Sequence, residues 1–484
     1  MSKNKGEKGN LLLELFSEEI PARMQTGSEK QLTNLFEKSL MNRDIGYGQI
    51  STFCSPRHLS VIIKNIDLKQ KNQIIEKRGP RLGSNEKAIH GFLKSNNIQE
   101  NDIVIKDTKN GKFYFYLNQI NGINTSEVLP EIINEIINNF VWPKSQRWAY
   151  SELRWARPLR NILLLFNNQP IEGKVAIDKN NFLNFSTYTF GHRNENKKIE
   201  VENIDEYERL LENNYLIIDR KKRKNKIIND TKLLLKDKDI KLLDDDYLLD
   251  EVLGLVEFPN VLIGTIDKQF MNLPKEVLTT AMKVHQKYFS IIDDKNNLVP
   301  KFLFVSNTIP KKERDKSIIE GNERVLKARL SDADFFWKTD TSTKIENFNE
   351  KLKKVLFYEG LGSLHDKTIR LSAVSKYFSS LFKVDVSLAR EACILSKFDL
   401  VSEMVGEFPE LQGIMGGYYT KLNGKPNEIS NAIFDQYKPK GISNDMPKTK
   451  LGCMLSMVDN IDNLTGFFII NKKPSGSKDP FALR

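Results

Sequence analysis

Between Gly321 and Asp340 the chain reads GNERVLKARLSDADFFWKTD, with Leu326, Leu330, Ala333 and Trp337 recurring at i, i+4, i+7 and i+11. That spacing places all four on one face of a helix, which then needs a core to pack on. Asn322 stands where it would cap the first turn, and Glu323 where the helix dipole favours an anion. Arg324, Lys327, Arg329, Asp332 and Asp334 supply the solvated side. Upstream of this helix, strand and helix patterns alternate; downstream, helix follows helix. The expected fold is therefore multidomain α+β: a mixed α/β N-terminal half followed by an all-helical domain. The expected segments are 1–65, 66–320 and 321–484.

At about 150 residues per domain, 484 residues suggest two to four domains. A content of 39% hydrophobic and 28% charged residues suits a chain that buries a core. No apolar run approaches the roughly 20 residues that span a bilayer. The opening MSKNKGEKGN has no apolar stretch behind it, so no signal peptide and no membrane are expected, and the location is expected to be cytoplasmic. Cys54, Cys393 and Cys453 form no CxxC pair, which points to a reducing compartment and away from structural zinc. A net charge of +11 suits a polyanion such as RNA, although a bias toward Lys, Asn and Ile also raises it without any such partner.

Leu11–Ala22 (LLLELFSEEIPA) starts as a strand, and Pro21 suits the first turn of a helix over Ala22–Leu40. Glu14, Glu18 and Glu19 are close enough in sequence for acid–base or metal chemistry, but they also suit a strand end and a helix start. Ser51–Ile63 reads as a strand with a turn at Pro56, beside Arg57 and His58. Arg78 and Arg81 flank Gly79-Pro80 in what reads as a rigid loop, able to hold phosphate or simply exposed. Ala88–Ser95 reads as a short helix, and Asn110-Gly111 marks a hairpin between Ile103–Ile105 and Phe113–Leu117. Thr125 or Ser126 would cap the next helix, whose apolar pairs run to Phe140 before Pro143.

Trp142, Lys144, Arg147, Trp148, Arg154, Trp155, Arg157 and Arg160 then interleave aromatic and basic groups. Unpaired bases and phosphates need that mixture, yet a packed core with a charged exterior produces it too. His192, in TYTFGHR, has no nucleophile near it and reads as structural. Arg220, Lys221, Lys222, Arg223 and Lys224 open a helix continuing to Leu235, either as a solvated face or as contacts to a nucleic-acid backbone. The candidate phosphate contacts are these five with Arg78, Arg81, Arg147, Arg154, Arg157 and Arg160.

His365-Asp366 begins an HD doublet, which invites a metal phosphohydrolase reading. That chemistry needs several converging His and Asp residues. The chain has only five histidines, none after His365, and Lys397 in LSKFDL stands where a ligand histidine is expected, near Asp399, Asp459 and Asp462. An ammonium has no lone pair to give a metal. The helical half thus reads as a degenerate HD-like domain without metal chemistry. Gly413, Gly416 and Gly417 match no phosphate-loop spacing and read as tight packing or a helix break.

LLLELFSEEIPA, RWARPLRNILLLF, TYTFGHR, EVLGLVEFP, LPKEVLTTAMKVHQKYF, GNERVLKARLSDADFFW and PSGSKDPFALR, in this order, resemble the bacterial glycyl-tRNA synthetase beta subunit. The resemblance runs from Leu11 to Arg484. It implies an ATP-dependent glycine–tRNA ligase, an aminoacyl-tRNA synthetase of two alpha and two beta chains. In it the alpha chain makes glycyl-adenylate at a class II site using ATP and Mg²⁺, and the beta chain binds and positions tRNA(Gly). No catalytic residue, metal or cofactor is expected in this chain. The family continues past DPFALR by roughly 100–200 residues, about a domain's length, into a helical anticodon-binding domain. The sequence stops short of that extension, either as a fragment of a longer chain or as a chain that binds tRNA without that module, which leaves anticodon recognition by this chain open. The other readings are an HD-type phosphohydrolase, which would bind a divalent metal, and a general RNA-binding scaffold.

Overall fold

The computed structural model describes residues 7–148, 150–236, 239–439, 445–476 and 478–483, without the side chains of 73–75 and 118–120. The chain forms two compact units. One combines Met1–Leu233, Asp246–Val261 and Val305–Pro310; the other combines Leu234–Asp245, Leu262–Phe304 and Lys311–Arg484.

The first unit is organised on the strand Lys8–Ser17, the Leu11 run expected from sequence. It lies mid-sheet, antiparallel to His58–Asp67 on one side and to Leu159–Phe166 on the other. The sheet continues to Ile50–Cys54 at one edge and through Phe182–Ser186 to Lys174–Ala176 at the other. Strand alternation assigns the two faces. Leu11, Leu13 and Leu15 join a core with Leu32 and Phe36 of the helix Ala22–Met41 and with Leu129, Ile132 and Ile136 of Thr125–Asn139. Leu12 joins Tyr207 and Leu211 of Tyr207–Asn213 in a second core. A strand covered on both sides needs apolar residues at both parities, which is why it reads as an unbroken run.

A separate sheet of Gln73–Arg81, Gly111–Ile120 and Ile103–Thr108 carries the Asn110-Gly111 hairpin and packs with the helix Glu86–Asn96. Arg78 and Arg81 do not sit in a loop: they end the strand Gln73–Arg81, at a register shift that accommodates Gly79-Pro80. The helix Thr125–Asn139 is preceded by Asn124, and the Thr125 hydroxyl donates to the Asp67 carbonyl instead of capping.

The second unit contains most of a four-stranded sheet, ordered Ile240–Leu242, Phe289–Asp293, Leu298–Asn307, Pro259–Thr265, and a large helical core. Its longest helix is Lys312–Ser342, so Asn322 is not a cap. The Asn322 side chain donates to the Ile318 carbonyl and accepts from the Tyr288 hydroxyl. Leu326, Leu330 and Ala333 are buried, as their spacing requires, and Trp337 packs on Tyr419. Downstream, the regular elements among the described residues are helical except for a small hairpin, Leu356–Tyr358 with Gly362–Ser363. Among the described residues no helix is long and apolar enough to cross a membrane.

Candidate functional site

The end of the strand Lys8–Ser17 borders a cavity of about 650 Å³ in the first unit. Its apolar wall is Phe16, Trp148, Leu159, Leu183 and Phe190; its rim is Glu18, Glu19, Arg160, Arg193 and Asn196, with Arg57 at the base. Phe16 and Phe190 stack with centroids 4.7 Å apart.

The base is built from buried polar groups. Arg57, on the turn between Ile50–Cys54 and His58–Asp67, donates through Nε to Glu257 Oε1 (2.7 Å) and through a terminal nitrogen to Glu257 Oε2 (3.0 Å) and the Gly191 carbonyl (2.9 Å). Burial pushes the Glu257 carboxyl up, but the Arg57 guanidinium and the Arg193 backbone N–H outweigh it and hold it below its usual value. His58 is wholly buried, and burial lowers its pKa despite Glu14 and Glu257. Its Nε2 lies 3.0 Å from the Phe190 carbonyl, which only accepts, so Nε2 carries the proton and Nδ1 accepts from the Ser55 hydroxyl at 3.1 Å. His192 is also structural: Nδ1 accepts from the Asn194 N–H and Nε2 faces Asn307 Oδ1 at 3.0 Å.

The three N-terminal glutamates separate. Glu14 is buried and accepts from the Thr189 hydroxyl (2.7 and 2.8 Å) and from Tyr207. Glu18 and Glu19 stay at the rim, Glu18 3.5 Å from Arg160 and Glu19 paired with Arg193. Arg160 and Arg193 remain 61% and 54% exposed, so both guanidiniums are open to a ligand.

The aromatic–basic segment divides by side. Trp142 and Trp155 pack edge-on at 5.0 Å beside Phe140 and belong to the core. Trp148 is half-buried and faces the cavity. Arg147 and Arg154 are exposed, Arg154 resting on Ser145, while Arg157 is half-buried against the Ala156 carbonyl. Arg78 and Arg81 are exposed, and Arg78 lies 3.7 Å over the Phe113 ring. In the helix Arg220–Leu235, Lys221 and Lys224 are exposed. Arg220 is held by Asp250 (2.7 Å), and Lys222 by Glu208 (3.0 Å) and Glu212 (2.8 Å). Arg223 points inward: its guanidinium donates to the carbonyls of Ile217, Ile218, Leu253 and Cys54. Of the eleven candidates, Arg223 is turned into the interior, and only Arg160 lines the cavity.

In the second unit the HD doublet has a local role. The Asp366 carboxylate accepts from the Ser363 N–H and hydroxyl, forming a capping box for the helix Leu364–Phe382. Lys397 Nζ lies 2.9 Å from Asp459 Oδ2, 3.0 Å from Gln436 Oε1 and 3.2 Å from the Tyr437 hydroxyl. Lys367 Nζ lies 2.9 Å from both Asp459 Oδ1 and Asp462 Oδ2, and Arg370 also grips Asp462 at 2.7 Å. Ammonium groups thus hold the carboxylates that a metal would need. Asp399 accepts instead from the N–H groups of Gly413 (2.6 Å) and Gly416 (3.0 Å), which takes that glycine tract out of reach of a phosphate. Among the described residues no three of His, Cys, Asp and Glu stand together as a metal site.

Sequence reasoning did not single out Phe16, Leu183, Phe190 or Asn196. The available signal was that FSEEIPA, PRH, RWARPLR and TFGHR, scattered over some of the most distinctive strings of the chain, all touch this cavity.

A family model described as the glycyl-tRNA synthetase beta subunit matches residues 11–484. Among curated proteins, a glycine–tRNA ligase beta subunit of Rickettsia canadensis (strain McKiel) is 41% identical over 475 residues, covering 98% of this chain and 69% of its own length. That of Rickettsia bellii (strain OSU 85-389) is 41% identical over 478 residues, 98% and 70%. That of Rhodospirillum centenum (strain ATCC 51521 / SW) is 36% identical over 498 residues, again 98% and 70%.

Proposed function

This chain belongs to the glycyl-tRNA synthetase beta-subunit family, and we propose that it binds tRNA(Gly) and positions it for glycylation by an alpha subunit. The alpha chain makes glycyl-adenylate from glycine and ATP with Mg²⁺, in a cytoplasmic tetramer of two alpha and two beta chains. The contribution of this chain is orientation: fixing the tRNA turns an encounter between two molecules into a reaction within one complex. The observation that carries the proposal is the family match over residues 11–484. Its physical support is the +11 net charge and the exposed Arg78, Arg81, Arg147, Arg154, Lys221 and Lys224. Arg157, Arg160, Arg220 and Lys222 would bind phosphate only by exchanging present partners, and Arg223 serves the interior.

The decisive experiment is glycylation of tRNA(Gly) by the full chain alone and with purified alpha subunit. Activity only in the mixture supports the proposal, and its absence despite an assembled complex refutes the positioning role. The Arg154→Ala/Arg157→Ala variant should bind tRNA more weakly with a flatter salt slope, by about 0.7–0.9 per lost phosphate contact. An unchanged slope in a folded variant removes those contacts from the interface. A general RNA scaffold would instead bind unrelated RNAs equally well.

A further inference from the structure

The cavity at the end of the strand Lys8–Ser17 combines three properties that fit one kind of ligand. First, its wall offers aromatic surface: Phe190 and Trp148 stand half-buried among the lining groups, and Phe16, itself buried, backs Phe190 by stacking on it at 4.7 Å. Aromatic side chains of this kind are platforms for unstacked bases. Second, two guanidiniums flank the mouth, each held only by an exposed carboxylate, Arg160 by Glu18 and Arg193 by Glu19. Exposed ion pairs are weak, so a phosphate, which takes charge-assisted and bidentate hydrogen bonds, displaces those carboxylates at little cost. Arg57 is different: its bonds to Glu257 are buried, so it holds the base of the cavity and is not available to a ligand. Third, Asn196 at the rim presents both a donor and an acceptor, which suits the polar edge of a base.

Size separates the possible occupants. A cavity of about 650 Å³ lies within the range that holds a ligand as large as a nucleotide. Glycine has no side chain to cover the aromatic wall and would leave most of that volume to water. A base paired within a duplex keeps its faces stacked and cannot present them to Phe190 and Trp148. Sequence-reading RNA proteins meet this geometry with splayed-out, unpaired nucleotides.

We infer that this cavity takes a single unpaired nucleotide of RNA, its base against Phe190 and Trp148 and its phosphate between Arg160 and Arg193. The inference rests on the tRNA-handling reading and adds to it what part of the RNA this cavity grips: an unpaired nucleotide, as distinct from the backbone phosphates that the exposed basic side chains would meet.

The other tryptophans do not line this cavity, so Trp148 fluorescence reports occupancy. The full chain is titrated with adenosine 5′-monophosphate, with a short single-stranded oligoribonucleotide, with a blunt RNA duplex and with tRNA(Gly). The single-stranded probes should quench Trp148 and the duplex should not. Arg160→Ala/Arg193→Ala, which alters exposed side chains only, should weaken the single-stranded oligonucleotide about tenfold or more and leave duplex affinity unchanged. Phe190→Ala should weaken it by a similar factor, the scale of one lost base stack. Trp148→Phe should keep the binding and lose the quench. Absence of any single-strand quench, or equal affinity of Arg160→Ala/Arg193→Ala and the parent, overturns the inference. If tRNA(Gly) still binds in that case, the positioning role survives without the cavity. If the oligonucleotide occupies the cavity but tRNA(Gly) does not bind, the cavity site stands and the positioning role falls.

Discussion

Replacing Lys397 with Met tests whether the ammonium groups in the helical core act as built-in counter-ions. Lys397 and Asp459 are 2% and 7% exposed, so both charges are nearly removed from water. Lys397→Met deprives Asp459 of one of its two ammonium partners and leaves Gln436 Oε1 and the Tyr437 hydroxyl without their donor. Breaking a buried pair from one side costs about 3–5 kcal/mol. The lower end, about 3 kcal/mol, is expected here because Lys367 still holds Asp459. Asp459→Asn leaves Lys397 facing neutral groups and should cost a similar amount. The double variant Lys397→Met/Asp459→Asn should cost less than the sum, with a coupling of about 2 kcal/mol. Hydrogen exchange of peptides from the helix Lys450–Ile469, which carries Asp459, measures the opening free energy locally. Burial raises the Asp459 pKa, but Lys397 and Lys367 outweigh it and the value is lowered. A depressed carboxylate pKa stabilises the fold above the unfolded value of about 3.9 and loses that contribution as pH falls through the folded value. The difference between the parent and Asp459→Asn should therefore persist down to about pH 4 and shrink below it. A cost under about 1 kcal/mol for Lys397→Met, or a coupling near zero, would refute the account.

Gly321→Ala should stabilise the second unit by about 0.5–1 kcal/mol. Gly321 lies inside the helix Lys312–Ser342 with nothing within 4 Å of an added Cβ, and a lower urea midpoint would contradict that placement. Burial pushes the Asp399 carboxyl up to about 6 against the Gly413 and Gly416 N–H groups. Its folded pKa exceeds the unfolded one, so its contribution is complete below about pH 4 and is lost as pH rises through 6. Relative to Asp399→Asn, the parent should lose on the order of 3 kcal/mol over that window; parallel stability–pH curves would disprove it. Arg223→Met should cost about 3 kcal/mol or more by orphaning buried carbonyls, each charge-assisted bond contributing about 1.5–3, whereas Lys224→Ala should change the unfolding midpoint little. The reverse order would place Arg223 back at the surface.

The strands and helices that carry apolar runs were legible because each run had one explanation. Leu11–Leu15 must be covered on both faces, and Leu326, Leu330 and Ala333 must share one. The start of the long helix was not legible for a matching reason. Residues 312–320 are mostly charged and carry little apolar period, so Gly321 and Asn322 read as punctuation. The longer helix overrides that local signal, and Asn322 is used for the Tyr288 hydroxyl. In the aromatic–basic segment, core tryptophans alternate with solvated arginines along an extended chain, as Arg154 and Trp155 do. The same letters would line a surface that stacks bases, and periodicity cannot separate the two.

The cavity needed a different kind of information. Its residues run from Phe16 to Asn196, and no single element holds more than a few of them. What joins them is strand order. Because Lys8–Ser17 pairs with both His58–Asp67 and Leu159–Phe166, the chain near Phe16, the Arg57 turn and the approach to Arg160 meet at one end of the sheet. Glu257 then reaches that end across 200 residues of sequence to fix Arg57. Sequence chemistry could say that Arg57 and Glu257 were charged residues in apolar surroundings, each costly to bury alone. Only the topology says that they neutralise each other. The cations left open to a ligand are therefore Arg160 and Arg193, each beside an equally exposed carboxylate, and a substitution at Arg57 would report on folding rather than on binding.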